Sequence, residues 1–129
     1  DCAPSLSLLT VNALIAADHL LLPVQAEFYA LEGLGQLLET MQLVKKGLNP
    51  ELNLLGVVVT MVDSRTTLSA QVQAEVQKHF PDKVFKTVIP RNIRLAEAPS
   101  HGLPVGVYDR WSKGARAYKT LAKEVLSRV

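Results

Sequence analysis

The sequence is short of residues that several classes of protein depend on. Among its 129 residues there is one cysteine, Cys2, which excludes an internal disulfide and favours a reducing compartment. The three histidines are scattered along the chain, so it has no closely spaced set of metal ligands. The apolar start of the chain is interrupted by Asp18, His19 and Pro23, which argues against a signal peptide and a membrane span. The expected location is the cytosol.

Charge and glycine are also limited. The net charge is only +2, so binding to a nucleic acid would need a local cluster of basic side chains. A glycine-rich phosphate loop is missing from the sequence, because Gly33 and Gly35 lie inside a helical pattern and no lysine follows them. The chain as given therefore has nothing to hold a triphosphate, and we expect no cofactor in the isolated chain.

Hydrophobic residues make up 48% of the chain, and their spacing predicts strands that alternate with helices. The predicted helices cover residues 8–17, 30–46 and 113–127, with another that follows residues 63–64 and is stopped by Pro81; the predicted buried strands cover residues 20–24, 56–61 and 84–89. This alternation indicates an α/β fold with a parallel sheet and right-handed crossovers. We expect residues 1–129 to form a single domain or a fragment of one.

Two of the predicted helices carry more specific expectations. Asp63 and Ser64 are both good N-cap residues for the helix that follows them. The last helix should bury one apolar face and expose one basic face. The expected apolar residues are Ala115, Tyr118, Leu121, Ala122, Val125 and Leu126, and the expected basic residues are Lys113, Arg116, Lys119 and Lys123.

Polar residues follow the predicted strands, at the edge where open parallel sheets bind ligands. Residues 60–65 follow the second strand and residues 90–94 follow the third. Asp1 would join them if a strand precedes it, and a carboxylate there orders a magnesium-bound water; it is equally well read as a helix N-cap. Residues 90–100 are either a functional loop or a plain connector, and composition alone makes Arg65 and Arg94 solvated surface.

Several ordered motifs closely resemble the ParA/Soj family of chromosome and plasmid partitioning ATPases. The resemblance covers essentially the whole chain and rests on residues 1–6 (DCAPSL), 9–14 (LTVNAL), 23–33 (PVQAEFYALEG), 60–66 (TMVDSRT) and 88–102 (VIPRNIRLAEAPSHG).

The resemblance implies a parallel-sheet, three-layer P-loop NTPase-like fold of the deviant Walker A, MinD/ParA type. It also implies that this chain is the C-terminal half, with the P-loop half missing. In that family ATP and Mg²⁺ drive formation of a homodimer, and the dimer binds DNA without sequence preference. A ParB/Spo0J-like partner stimulates hydrolysis. The implied location is cytoplasmic and nucleoid-associated, without a membrane.

Site residues follow from the same resemblance. Asp1 matches the Walker B aspartate, which acts on magnesium indirectly, through water. Arg65 and Arg94 match arginines linked to DNA binding. The residues that match loops around the adenosine are Thr60, Met61, Pro90, Arg91 and Asn92.

The sequence departs from the family pattern in two ways, and other interpretations stay open. Ala3 replaces a common proline, and the half with the phosphate loop is absent. Because the sequence opens on Asp1 rather than methionine, we expect a fragment that does not hydrolyse ATP alone. One alternative is a nonenzymatic, truncated interaction module that self-associates. Another is a MinD-like relative, disfavoured because MinD-like proteins carry a C-terminal amphipathic membrane helix.

Overall fold

A computed structural model describes residues 7–129, apart from the side chain of residue 31. The two strands are β1 (His19–Gln25) and β2 (Asn53–Thr60). The helices are α1 (Leu8–Ala16), α2 (Ala30–Gly47), α3 (Thr67–His79), α4 (Ile93–Glu97), α5 (Val105–Tyr108) and α6 (Lys113–Leu126), with a 3₁₀ turn at Ala98–His101 between α4 and α5. The four predicted helices and the first two predicted strands are confirmed to within three residues at each end.

The two strands are parallel and neighbouring. Their register runs from His19 opposite Asn53 to Gln25 opposite Thr60, with one irregularity between Leu20 and Leu21. Beyond Gln25, the Ala26 N–H donates to the Thr60 carbonyl at 2.9 Å. Along a strand of a parallel pair, the backbone N–H and C=O groups of alternate residues point toward the partner strand. In β1 these are the even-numbered residues, so the backbone nitrogen of Pro23 points toward the outer edge of the sheet. Its missing N–H therefore costs the β1–β2 ladder nothing.

The third predicted strand, residues 84–89, is wrong as a regular strand. The chain does run beside β2, but it forms only isolated parallel bridges at Val84 and Pro90. The N–H groups of Lys86 and Thr87 turn away from β2 and donate to the Glu124 carboxylate of α6, at 2.8 and 3.0 Å. The N–H groups of Phe85 and Ile89 still donate to Val57 and Val59 of β2, so regular pairing is lost only between them.

Helices cover both faces of the sheet, which gives the expected three layers. On one face, α2 contributes Leu34 and α3 contributes Val72 and Val76 to a core with the strands. On the other face, α6 contributes Leu121, which packs with Leu55, Val58, Phe85 and Ile89. A third cluster joins α1 to α2 through Leu14, Met41, Val44 and Leu52.

Two local expectations are wrong. Thr66, and not Asp63 or Ser64, caps α3, because an extra turn precedes the helix and the Thr66 hydroxyl accepts the Ser69 N–H at 3.3 Å. On α6, Ala115 and Leu121 are buried as expected, but Ala122 is exposed, and the exposed fractions of Tyr118 and Leu126 are 46% and 75%. These three residues lie off the stripe that meets the sheet.

Within residues 7–129, none of the helices combines the length and the apolar character needed to cross a lipid bilayer.

Candidate functional site

The end of β2 is marked by a strained backbone. Met61 has a φ of 53°, and it is the one non-glycine residue with positive φ among residues 7–129. An unbranched side chain in this region carries a modest energetic cost, and such residues concentrate at functional sites. Thr60, just before it, accepts the Ala26 N–H through its carbonyl. The turn therefore starts at the last residue of the sheet.

Residues 90–92 lie directly beside this turn. The Val62 N–H donates to the Ile89 carbonyl at 3.0 Å, and the Arg91 N–H donates to the Val62 carbonyl at 3.0 Å. Two backbone hydrogen bonds thus fix one loop against the other. Asn92 then begins α4, because its side-chain oxygen accepts the Arg94 N–H at 3.2 Å. The five residues predicted to surround an adenosine therefore lie together: Thr60 ends β2, and the other four lie on the two loops joined beside it.

The end of β1 reaches the same place. The Glu27 carboxylate, two residues beyond β1, forms an ion pair with the Arg91 guanidinium, with a nitrogen-to-oxygen distance of 3.3 Å. Both side chains are about half exposed, so the contact is accessible to solvent. Glu27 was not expected at the site, because its only signal in the sequence was its position two residues after a strand. The ends of β1, β2 and the segment 84–89 therefore converge.

Arg65 is held by a neighbouring acid. Its guanidinium donates to both carboxylate oxygens of Asp63, at 2.9 and 2.8 Å. The backbone N–H of Arg65 donates to the same carboxylate at 3.0 Å. These bonds hold the pKa of Asp63 far below its ordinary range, and the Asp63 carboxylate raises the pKa of Arg65. The Arg65 side chain is nevertheless almost fully exposed. The Arg65 guanidinium is therefore charged and held in one orientation, and the Asp63 carboxylate partly offsets its charge.

Arg94 is held by two acids. Its guanidinium lies 2.8 Å from a Glu97 oxygen and 3.4 Å from an Asp109 oxygen. The Tyr108 hydroxyl donates to the same Glu97 oxygen at 3.1 Å. Arg94, and then Tyr108, hold the pKa of Glu97 below its ordinary value. The spacing of three residues between Arg94 and Glu97 on a helix could have indicated that pair, but nothing in the sequence indicated Asp109.

Asp1 lies outside the described residues, so its role stays a prediction. Among residues 7–129, no three His, Cys, Asp or Glu side chains are grouped closely enough to hold a metal ion.

The sequence of the chain is similar to those of known proteins. The chain is 62% identical over 125 residues to the sporulation initiation inhibitor protein Soj of Bacillus subtilis. It is 57% identical over 129 residues to the chromosome-partitioning ATPase Soj of Thermus thermophilus, and 56% identical over 128 residues to the chromosome partitioning protein ParA of Caulobacter vibrioides. The chain belongs to the Soj/ParA family. A family model described as an AAA domain also matches residues 1–54.

The match covers nearly all of this chain but not of its relatives. These alignments include 97%, 100% and 99% of the chain, and 49%, 52% and 48% of the three relatives. The Soj/ParA chain described here therefore spans about half the length of the curated relatives it matches.

Solved structures confirm the fold class. A cobyrinic acid a,c-diamide synthase from Mycobacterium smegmatis, with bound ATP analogue and magnesium, superimposes with a TM-score of 0.79 and 40% identity over 98% of this chain and 45% of its own. The septum site-determining protein MinD from Pyrococcus horikoshii, complexed with Mg-ADP, superimposes with a TM-score of 0.73 and 25% identity over 97% of this chain and 48% of its own. The Soj/ParA chain thus has the α/β fold of P-loop NTPases.

Proposed function

We propose that this chain is the C-terminal part of a Soj/ParA-type partitioning ATPase and supplies the adenosine side of its nucleotide site. The observation that carries the proposal is the convergence of the ends of β1, β2 and the segment 84–89, with Val62 hydrogen-bonded to Ile89 and Arg91. The parent protein would bind ATP and Mg²⁺ as a homodimer in the cytoplasm. The dimer would hold nucleoid DNA without sequence preference and, with a ParB-like partner, segregate chromosome or plasmid DNA.

The residues at the edge suit an adenosine. Thr60 and Asn92 offer a hydroxyl and an amide, while Met61 and Pro90 offer apolar surface, and nucleoside pockets combine these two kinds of group. A bound nucleotide would supply the phosphates that a magnesium ion neutralises, with Asp1 positioned as the Walker B-like residue. The phosphates themselves would be held by the half of the parent that this chain lacks.

Nucleotide titration tests this part of the proposal. We expect the parent protein to bind a magnesium complex of an ATP analogue, and the isolated chain to show no magnesium-dependent affinity. Asn92→Ala in the parent should weaken binding, whereas Asn53→Ala, at the opposite end of β2, should leave it unchanged. The proposal fails if the gene encodes no phosphate-loop sequence upstream of this segment.

The DNA-binding part depends on Arg65 and Arg94. Both guanidinium groups are reachable by solvent; Arg65 lies on the loop after β2, and Arg94 lies in the first turn of α4. Replacing both by alanine in the parent should weaken binding to every duplex sequence. It should also flatten the dependence of log K on log salt by about 0.9 for each lost phosphate contact. Lys78→Ala, an exposed residue of α3, is the control. Unchanged DNA retention would remove the two arginines from the proposal.

A second candidate function is a nonenzymatic module that self-associates. It is favoured by an apolar groove of about 700 Å³ along the outer edge of β1, lined by residues of α1, β1 and α2 such as Ala13, Leu22 and Gly33. In the parent protein the same edge would be covered by the preceding half of the sheet. The isolated chain leaves it open to a second copy.

A further inference from the structure

The segment 84–89 contains more residues than the stretch of β2 beside it. The Phe85 N–H donates to the Val57 carbonyl at 2.8 Å. The Ile89 N–H donates to the Val59 carbonyl at 2.9 Å, so from the first bond to the second the segment advances four residues while β2 advances two. The backbone of residues 86–88 therefore bulges away from β2. Bulges are over-represented next to active sites, where they redirect a side chain or end the strand pairing.

The Glu124 carboxylate of α6 holds this bulge. One of its oxygens accepts the Lys86 N–H at 2.8 Å, and the other accepts the Thr87 N–H at 3.0 Å. Hydrogen bonds to an ionised carboxylate are about twice as strong as those between neutral groups. Because both oxygens of one carboxylate are used, the bulge cannot slide along β2 without losing both bonds.

Arg128, four residues after Glu124, keeps the carboxylate in place. Its guanidinium donates to Glu124 at 3.1 Å and to the carbonyl groups of Lys83 and Val84 at 3.0 and 2.9 Å. Its guanidinium carbon also lies 3.9 Å from the centroid of the Phe85 ring. The exposed fractions of the Arg128 and Glu124 side chains are 23% and 18%. Apolar side chains often stabilise a fold as well as a largely buried ion pair does, so stability alone does not explain this pair.

The residues assigned to the adenosine follow the bulge directly. Ile89 closes the bulge, and its carbonyl accepts the Val62 N–H at 3.0 Å, next to the strained turn at Met61. Residues 90–92, which we call the adenosine loop, come next. One residue more or less in the bulge would shift this loop by about 3.3 Å along β2. The place where the adenosine loop meets the end of β2 therefore depends on the bulge.

We propose that Glu124 is a positioning residue for the adenosine loop, supported by Arg128; this inference rests on the proposed adenosine site. By holding the bulge, the carboxylate sets the distance between Thr60 at the end of β2 and Asn92 in the loop, so that both can contact one adenosine. Glu124 does this from α6, without touching the nucleotide. Its loss should weaken recognition of the base and leave phosphate binding, which depends on the other half of the parent, unchanged.

Nucleotide binding by the parent protein tests the inference. The test variant is Glu124→Met, which removes both acceptor oxygens and keeps a similar length and a high helix propensity. The dissociation constant of a fluorescent, magnesium-bound ATP analogue should rise about 10-fold, as expected for the loss of about one hydrogen bond to the base. The preference for this analogue over its GTP counterpart should fall by the same factor. The affinity for magnesium-bound inorganic triphosphate should not change.

Three further variants separate positioning from stability. Met41→Ala, in the cluster between α1 and α2, should lower the melting temperature at least as much as Glu124→Met without changing the nucleotide preference. Glu75→Met removes an exposed carboxylate from α3 and should change neither quantity. Glu124→Gln keeps one acceptor oxygen and should show an intermediate preference for the ATP analogue.

The outcomes distinguish this inference from the proposed function. A Glu124→Met variant that melts earlier but keeps the wild-type affinity and preference would show that Glu124 is only structural, and the proposed function would stand. An equal loss of affinity for inorganic triphosphate would also overturn the inference, because the effect would not be confined to the base. If the wild-type parent binds neither nucleotide, or binds both equally, the proposed adenosine site is wrong as well. Should Glu124→Met fail to fold, Glu124→Gln must still weaken the preference by at least about threefold.

Discussion

At the scale of single residues, Glu124 links α6 to the segment beside β2. Its carboxylate accepts the N–H groups of Lys86 and Thr87 and pairs with Arg128 at 3.1 Å. Glu124→Gln removes the charge and one acceptor while keeping the shape. We expect it to destabilise the chain by about 1.5–3 kcal/mol, the range for hydrogen bonds to charged groups. Urea denaturation measures the change, and Glu75→Gln, on the exposed face of α3, should shift stability by less than about 0.5 kcal/mol.

The same carboxylate predicts a response to acid. Burial alone would raise the pKa of Glu124, but the Lys86 and Thr87 N–H groups and the Arg128 guanidinium outweigh burial and hold it below its ordinary 4.5. A lowered pKa in the folded state means that the unfolded state binds the proton first. The stabilisation is therefore complete above about pH 4.5 and is lost as pH falls through the folded-state pKa. Melting curves at several pH values should show a smaller acid loss in Glu124→Gln; an equal loss in both proteins would contradict this.

Asp63 offers a test of how strongly Arg65 is restrained. Because the pKa of Asp63 is held far below its ordinary range, its charge opposes that of Arg65 at every physiological pH. Asp63→Asn in the parent protein should free the guanidinium and remove the negative charge beside it. We expect tighter DNA binding and a salt slope steeper by up to about 0.9. Weaker binding would show that the Asp63 contact orients Arg65 for DNA rather than competing with it.

At the scale of elements, the sequence predicts what local periodicity determines. The strand over residues 20–24 and the helix over residues 30–46 appear in the structure with nearly the same limits, because their apolar spacing is read locally. The strand over residues 84–89 looks equally apolar, yet Glu124 takes two of its N–H groups. A side chain 37 and 38 residues away overrides the local pattern, and a local pattern contains no record of it.

The sequence likewise predicts some features of the candidate site and not others. The alternation of strands and helices is enough to bring Thr60 and Pro90 to one edge, since parallel strands end together. The pairing of Arg91 with Glu27 and of Arg94 with Asp109 depends on where loops fold back, so the sequence did not predict it. The positive φ of Met61 was also unpredicted, because methionine has no preference for that region.

Packing between α4 and α6 depends on one glycine. A Cβ added at Gly114 would lie 2.6 Å from a side-chain carbon of Leu95, so alanine there must displace the Leu95 side chain or α4 itself. We expect Gly114→Ala to destabilise the chain by about 1–3 kcal/mol through overpacking. Gly35→Ala, in the exposed middle of α2 with open space around it, should instead stabilise by about 0.5–1 kcal/mol. Thermal denaturation of both variants measures the contrast, and equal shifts would contradict the packing explanation.

At the scale of the whole molecule, helices cover both faces of the sheet, but one edge of the sheet is uncovered. Helices α2 and α3 cover one face and α6 covers the other. Within residues 7–129 the sheet ends at β1, beside the apolar groove. An exposed edge of this kind pairs readily with another chain.

The open edge leads to a prediction about assembly. Residues 1–129 alone should self-associate, so the sedimentation coefficient should rise with concentration. Gly33→Glu places a charge in the groove, where an added side chain meets no atom within 4 Å, and should reduce the association. Gly35→Glu adds the same charge to α2 but lies outside the groove lining, so it should leave association unchanged. A wild-type chain that stays monomeric at high concentration would exclude self-association, and equal effects of the two variants would place it away from β1.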